Sequence, residues 1–128
     1  MSYTAFNLSD SSKCALLELF PPRYSRVCAD HVTLDMGVNN ISKLMTKYPN
    51  PLVTVYGYVT DGDSIETVLV SLNNDTIRKD GRKFHITLSL DPTKGRKPVD
   101  SNKIIESYNF LPIDSFKLTG GIVPVLII

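Results

Sequence analysis

Two stretches, Asp30-His31-Val32-Thr33-Leu34 and Phe84-His85-Ile86-Thr87-Leu88, dominate this 128-residue chain. They hold its two histidines, and both read His-x-Thr-Leu with a β-branched apolar residue at x. Threonine is roughly 8% of the chain, so Thr at +2 from both histidines has chance odds below about one in a hundred. In a strand, side chains i and i+2 share one face. His31 and Thr33 therefore stand together, opposite Val32 and Leu34. His85, Thr87 and Ser89 stand together, opposite Ile86, Leu88 and Leu90. Each stretch predicts an amphipathic strand that gives an apolar row to a core and presents an imidazole beside a hydroxyl. Core packing alone gives no reason to duplicate that polar pair. Side by side, the two strands form a groove holding two imidazoles and two hydroxyls.

Such a set suits phosphoryl transfer. An imidazole, with pKa near about 6.5, takes or gives a proton at neutral pH. Two of them, His31 and His85, serve as base and acid on opposite sides of one phosphorus. The Thr33 and Thr87 hydroxyls donate to the non-bridging oxygens. A zinc site is disfavoured, because two histidines leave the metal short of ligands even if Asp35, on the His31 face, contributes. Neither a metal nor another cofactor is expected.

Outward from these strands, residues 3–8 predict a first strand. Ser9 or Asp10 caps a helix to about residue 19, with Leu16, Leu19 and Phe20 at helical spacing, and Pro21-Pro22 ends it. The His31 strand covers about residues 31–36. Asn39 or Asn40 caps a short helix whose Ile41, Leu44, Met45 and Tyr48 follow the i, i+3, i+4, i+7 pattern. Strands at about 52–59 and 64–72 form a hairpin around Thr60-Asp61-Gly62-Asp63. The His85 strand spans about 83–90. A loop with Pro92, Gly95 and Pro98 leads to a helix capped by Asp100 or Ser101, with Ile104, Ile105 and Tyr108 as its buried stripe. Residues 115–118 and 122–128 are strand material, part of which Pro124 confines to a sheet edge.

One domain over residues 1–128 accommodates all of this. Apolar residues make up 42% and charged residues 21%, which excludes wholesale disorder. No apolar run approaches the roughly eighteen residues of a membrane span, so no membrane association is expected. The start Met1-Ser2-Tyr3-Thr4 lacks the features of a secretion signal, and Cys14 and Cys28 read as reduced packing residues; both favour a cytoplasmic setting. The net charge of +1 hides an asymmetry. Residues 78–97 hold seven basic side chains against two acids, a local +5, while the rest of the chain carries −4. Local charge of this kind fits an anionic ligand, although taken alone a solvated hairpin loop is the better reading of it. Within it Lys94, Arg96 and Lys97 follow the His85 strand closely and are placed to meet flanking phosphates. Tyr56 and Tyr58 share a face of the hairpin strand with Thr54, where packing is the better expectation than stacking on a base.

The paired His-x-Thr motifs resemble the signature of the 2H phosphoesterase superfamily, whose members carry two such motifs in two pseudo-symmetric lobes. The order of Tyr3-Thr4-Ala5-Phe6, first helix, His31 strand, hairpin and His85 strand is similar to the family's. Lys97-Pro98-Val99-Asp100-Ser101-Asn102 resembles the helix start of the cyclic phosphodiesterase modules of RNA repair and ligase proteins. The chain departs from the pattern in its small size and in the 54 residues that separate its histidines, which bears on the substrate more than on the chemistry. The resemblance implies an α+β fold of two lobes of antiparallel sheet with outer helices and a central groove. It implies a metal-independent phosphodiesterase acting on a nucleotide or RNA end, with a 2′,3′-cyclic phosphate as the first bond, a 2′-phosphate as product, and no partner beyond substrate for a monomer. The enzyme alternative is cleavage of a cyclic oligonucleotide or 2′-5′ signalling nucleotide. The non-enzyme alternative is an RNA- or nucleotide-binding module. By the same resemblance Tyr3 lies near the phosphate, with a packing role as the equal alternative, and Ser101 and Asn102 read as helix-start residues rather than catalysts. The expected binding set is thus Thr33, Thr87, Tyr3, Lys94 and Arg96 around His31 and His85.

Overall fold

The computed structural model describes residues 2–126, an α+β arrangement of two antiparallel sheets and three helices. In chain order these are β1 (Ser2–Leu8), α1 (Asp10–Leu19), β2 (Arg26–Val27), β3 (His31–Asp35), α2 (Ile41–Lys47), β4 (Val53–Thr60), β5 (Ile65–Leu72), β6 (His85–Leu90), α3 (Ser101–Ser107), β7 (Leu111–Leu118) and β8 (Gly120–Leu126). The smaller sheet has the order β3-β1-β8 and the larger β2-β6-β5-β4-β7. The first and last strands pair with each other, Ser2 opposite Leu126 and Leu8 opposite Gly120. Pro124 sits on the outer strand of the smaller sheet, where a missing donor breaks no ladder. Residues 127 and 128, expected to extend that strand, lie outside the described residues.

Local chemistry sets several element ends. Ser9 caps α1, its hydroxyl accepting the Ser12 N–H at 3.2 Å. Asp61 organises the β4–β5 turn by accepting the N–H groups of Asp63, Ser64 and Ile65. Burial works against its ionisation, yet those bonds and the Ser64 hydroxyl hold its carboxyl well below the usual carboxylate range. Gly120 lets β8 meet β1: a Cβ there would stand 1.9 Å from the Asn7 carbonyl oxygen. The α2 and α3 starts use no side-chain cap. Asn40 donates instead to Asp35, and Asp100 accepts the Lys97 N–H.

The sheets share one core. Phe6 of β1, Val32 and Leu34 of β3 and Ile122 of β8 pack with Val53, Val68, Ile86 and Leu88 of the larger sheet. A second cluster, built on Val59, Ile65, Leu69 and Leu90, is closed by Ile104 of α3. Between them lies a β4 bulge at Val55/Gly57. It advances the alternation by one residue, so Val55 and Tyr58 enter the first cluster while Tyr56 packs on the second. Tyr56 and Tyr58 therefore do not share a face as expected. Tyr58 stacks on Phe20 and donates to Glu66, and Tyr56 meets the edge of Phe110.

Other expectations are corrected by burial. Helices of seven to ten residues put few side chains into the core. Leu19, Met45 and Tyr108 are exposed, leaving Leu16 and Ile104 to bury the α1 and α3 faces. Cys14 is exposed rather than packed, and both cysteines are free. Strand β2, two residues long, has no period to reveal it. Strand β7 begins at Leu111, earlier than expected, because this outer strand is mostly exposed and lacks a clean alternation. No helix among the described residues is long and apolar enough to cross a membrane.

Candidate active site

The shared core dictates where the histidines go. Val32, Leu34, Ile86 and Leu88 are all buried in it, so pleating turns His31, Thr33, His85 and Thr87 to the other faces of β3 and β6. The chain also ties these strands together directly. Leaving β2, Cys28 and Ala29 donate their N–H groups to the Leu88 and Thr87 carbonyls, and two residues later β3 begins. Ala29 turns the chain there with a positive φ of 54°. His31, Thr33, His85, Thr87 and Tyr3 consequently line one groove of about 530 Å³.

Each ring is held by a distinct partner. The His85 Nδ1 lies 2.9 Å from the Lys83 carbonyl oxygen. A carbonyl only accepts, so Nδ1 carries the hydrogen and Nε2 of the neutral ring keeps its lone pair. Burial lowers the His85 pKa, the Lys83 carbonyl opposes that, and the Arg78, His31 and Arg82 charges lower it further. Burial also lowers the His31 pKa, against the neighbouring Asp30 carboxylate. The His31 Nε2 stands 3.5 Å from the Tyr3 hydroxyl, with the rings tilted at 5.4 Å. Burial and Asp30 both push the Tyr3 phenol up, keeping its proton in place. One imidazole thus has a carboxylate neighbour and the other has cationic neighbours.

The two threonines differ as well. The Thr87 Oγ1 lies 2.8 Å from the Oγ of fully buried Ser101 and 3.4 Å from the Pro98 carbonyl. Thr33 has no side-chain hydrogen bond among the described residues, and its hydroxyl faces the groove. Ser89, expected beside Thr87, is instead buried and donates to Glu66, which also accepts from Tyr58. Glu66 further accepts the Arg23 N–H, so the segment leading into β2 covers that end of β6.

Lys94 and Arg96 are not brought into the groove. Lys94 is paired with Asp63 at 2.5 Å. Arg96 donates to Ser64 and to Asp61 at 3.1 Å and faces Asp100. The turn acids 61 and 63 claim both cations and pin the loop after β6 to the β4–β5 turn. The groove's cations are Arg26, which the sequence did not single out, and Arg78 and Arg82, from the start of the basic stretch rather than its end. A turn with Gly81 at φ +87° joins the last two: the Gly81 N–H donates to the Arg78 carbonyl and the Arg78 N–H to the Arg82 carbonyl. Asp80 binds the Arg78 Nε at 2.8 Å. The available signal was Asp80-Gly81, a turn dipeptide flanked by arginines just ahead of the His85 strand. Cys28, Asp30, Pro98 and Asn102 also line it, with Met36 and Val99 as exposed apolar lips. Among the described residues no three His, Cys, Asp or Glu side chains are grouped to hold a metal.

The groove thus gathers two imidazoles, two threonine hydroxyls and three guanidinium groups, which are proton-exchanging and hydrogen-bond-donating groups. Comparison of the chain with family models, with curated proteins and with solved structures returns no match.

Proposed function

We propose that the chain is a metal-independent phosphodiesterase that cleaves a nucleotide or RNA-end phosphodiester, with a 2′,3′-cyclic phosphate as its first substrate. The observation that supports this most is that strands from two different sheets deliver a duplicated imidazole–hydroxyl pair to one groove. The resemblance of the paired His-x-Thr motifs to the 2H phosphoesterases points the same way.

His85 is the base in this reading. Its Nε2 has a free lone pair because Nδ1 is committed to the Lys83 carbonyl, and burial, reinforced by its cationic neighbours, favours the neutral ring. His31 is the acid: burial lowers its pKa too, but the Asp30 carboxylate offsets part of that, where His85 has cations beside it instead. Water loses a proton to His85 and attacks phosphorus. The P–O3′ bond breaks, His31 protonates the leaving ribose oxygen, and a 2′-phosphate remains. Thr33 and Thr87 donate to the non-bridging oxygens, where charge grows. Tyr3, whose hydroxyl stands 3.5 Å from the His31 Nε2, positions that ring beside the leaving oxygen.

Turnover of a 2′,3′-cyclic mononucleotide in excess chelator tests this. His31→Ala and His85→Ala are each expected to lose several orders of magnitude, and the double variant little more, because the rings act as a unit. Robust activity in either single variant overturns the scheme, as does activity abolished by chelation and restored by zinc or manganese.

A further inference from the structure

Arg78 lines a second cavity as well as the groove. This second cavity is about 320 Å³ and opens between α2 and the segment that precedes β6. Its walls carry Lys43, Lys47 and Lys79 together with Arg78, against the single carboxylate of Asp35, which Asn40 already engages. Lys47 is partly committed to Asp75 at 3.7 Å, whereas Lys43 and Lys79 form no ion pair among the described residues. Beside these cations the exposed Ile77 side chain adds an apolar surface. Arg78 itself is 6% exposed, yet among the described residues its only side-chain bond runs from Nε to Asp80. The guanidinium ends, with their four N–H donors, are left at the wall between the two spaces.

We propose that the second cavity holds the nucleotide unit next to the reacting phosphodiester, so that the preferred substrate is a short oligonucleotide with phosphates on both sides of Arg78. This rests on the reading of the groove as a phosphodiesterase site and adds the substrate's length to it. A buried guanidinium suits the role because its planar fork binds phosphate oxygens with little loss of side-chain freedom. The lysines supply the sequence-independent charge that a flanking phosphate requires, and the apolar wall receives a sugar edge or base face. A mononucleotide would use the groove alone.

The test is Lys43→Gln/Lys79→Gln, with Lys103→Gln/Lys117→Gln as a charge-matched control on exposed positions outside both spaces. Binding of a fluorescent single-stranded oligoribonucleotide ending in a 3′-phosphate is followed by anisotropy across a salt series. Each lysine–phosphate contact on a single strand contributes about 0.7 to the slope of log affinity against log salt. Losing two should flatten the slope by about 1.4, which amounts to about 25-fold weaker binding at about 0.1 M salt. The ratio of kcat/KM for cyclic-phosphate-ended RNA to that for a cyclic mononucleotide should fall by a similar factor, and the control should change neither. Unchanged binding and an unchanged ratio, in a protein that turns over the mononucleotide, overturn the inference and leave the phosphodiesterase reading standing. Weakened oligonucleotide binding in a protein that turns over no substrate supports the cavity as a nucleotide site and overturns the phosphodiesterase reading.

Discussion

Thr33→Val and Thr87→Val make the same chemical change at the two matched motif positions, but the structure predicts different costs for folding. Valine keeps the β-branched shape and removes the hydroxyl. At position 87 that hydroxyl is 2.8 Å from the Oγ of Ser101, which is fully buried. Removing it leaves the Ser101 oxygen without that partner in a place water does not reach, a loss of about 1–3 kcal/mol. At position 33 no group among the described residues depends on the hydroxyl, and the change should stay within about 0.5 kcal/mol. Turnover should respond alike at both sites, falling about 100-fold for each lost donor to the phosphate oxygens. Urea denaturation reads the first effect and kcat/KM on a 2′,3′-cyclic mononucleotide reads the second. Thr87→Ser should restore both, and Ser101→Ala in the Thr87→Val background should recover stability without recovering activity. Equal stability of the two valine variants would refute the argument from Ser101, and full activity in both would remove the hydroxyls from the phosphate.

The pH dependence of kcat/KM should be bell-shaped with both limbs below 6.5, because burial lowers both histidine pKa values from there; a limb above neutrality would mean that another group titrates. For the same reason the unfolded chain binds more protons than the folded one in mildly acid solution. Stability should therefore decline as pH falls from about 6.5 through the folded pKa values, and His31→Ala/His85→Ala should flatten that decline. Gly120→Ala should lower stability by about 1–3 kcal/mol or more, since the new Cβ meets the Asn7 backbone, which cannot move without parting β1 from β8. An unchanged denaturation midpoint would show that the two strands have slack there.

What the sequence determined by itself is local. Alternation at period two put His31 with Thr33 and His85 with Thr87, opposite valine, leucine and isoleucine, and Val32, Leu34, Ile86 and Leu88 do enter one core, with Leu90 in the second cluster. Ser9 and Pro21-Pro22 bounded α1, and Asp61-Gly62 marked the hairpin turn, because caps and turns depend on a few adjacent residues. Tertiary structure decided everything that depends on distant partners. The β4 bulge separated Tyr56 from Tyr58, since a pleat can be interrupted without any trace in the alternation of types. Lys94 and Arg96 left the site because carboxylates some thirty residues earlier in the chain sit opposite them. Arg78 entered it because a tight turn ahead of β6 folds its side chain inward. Charge along a chain shows how many cations are present, but which anion each one meets is set through space, by the packing that brings the two sheets together.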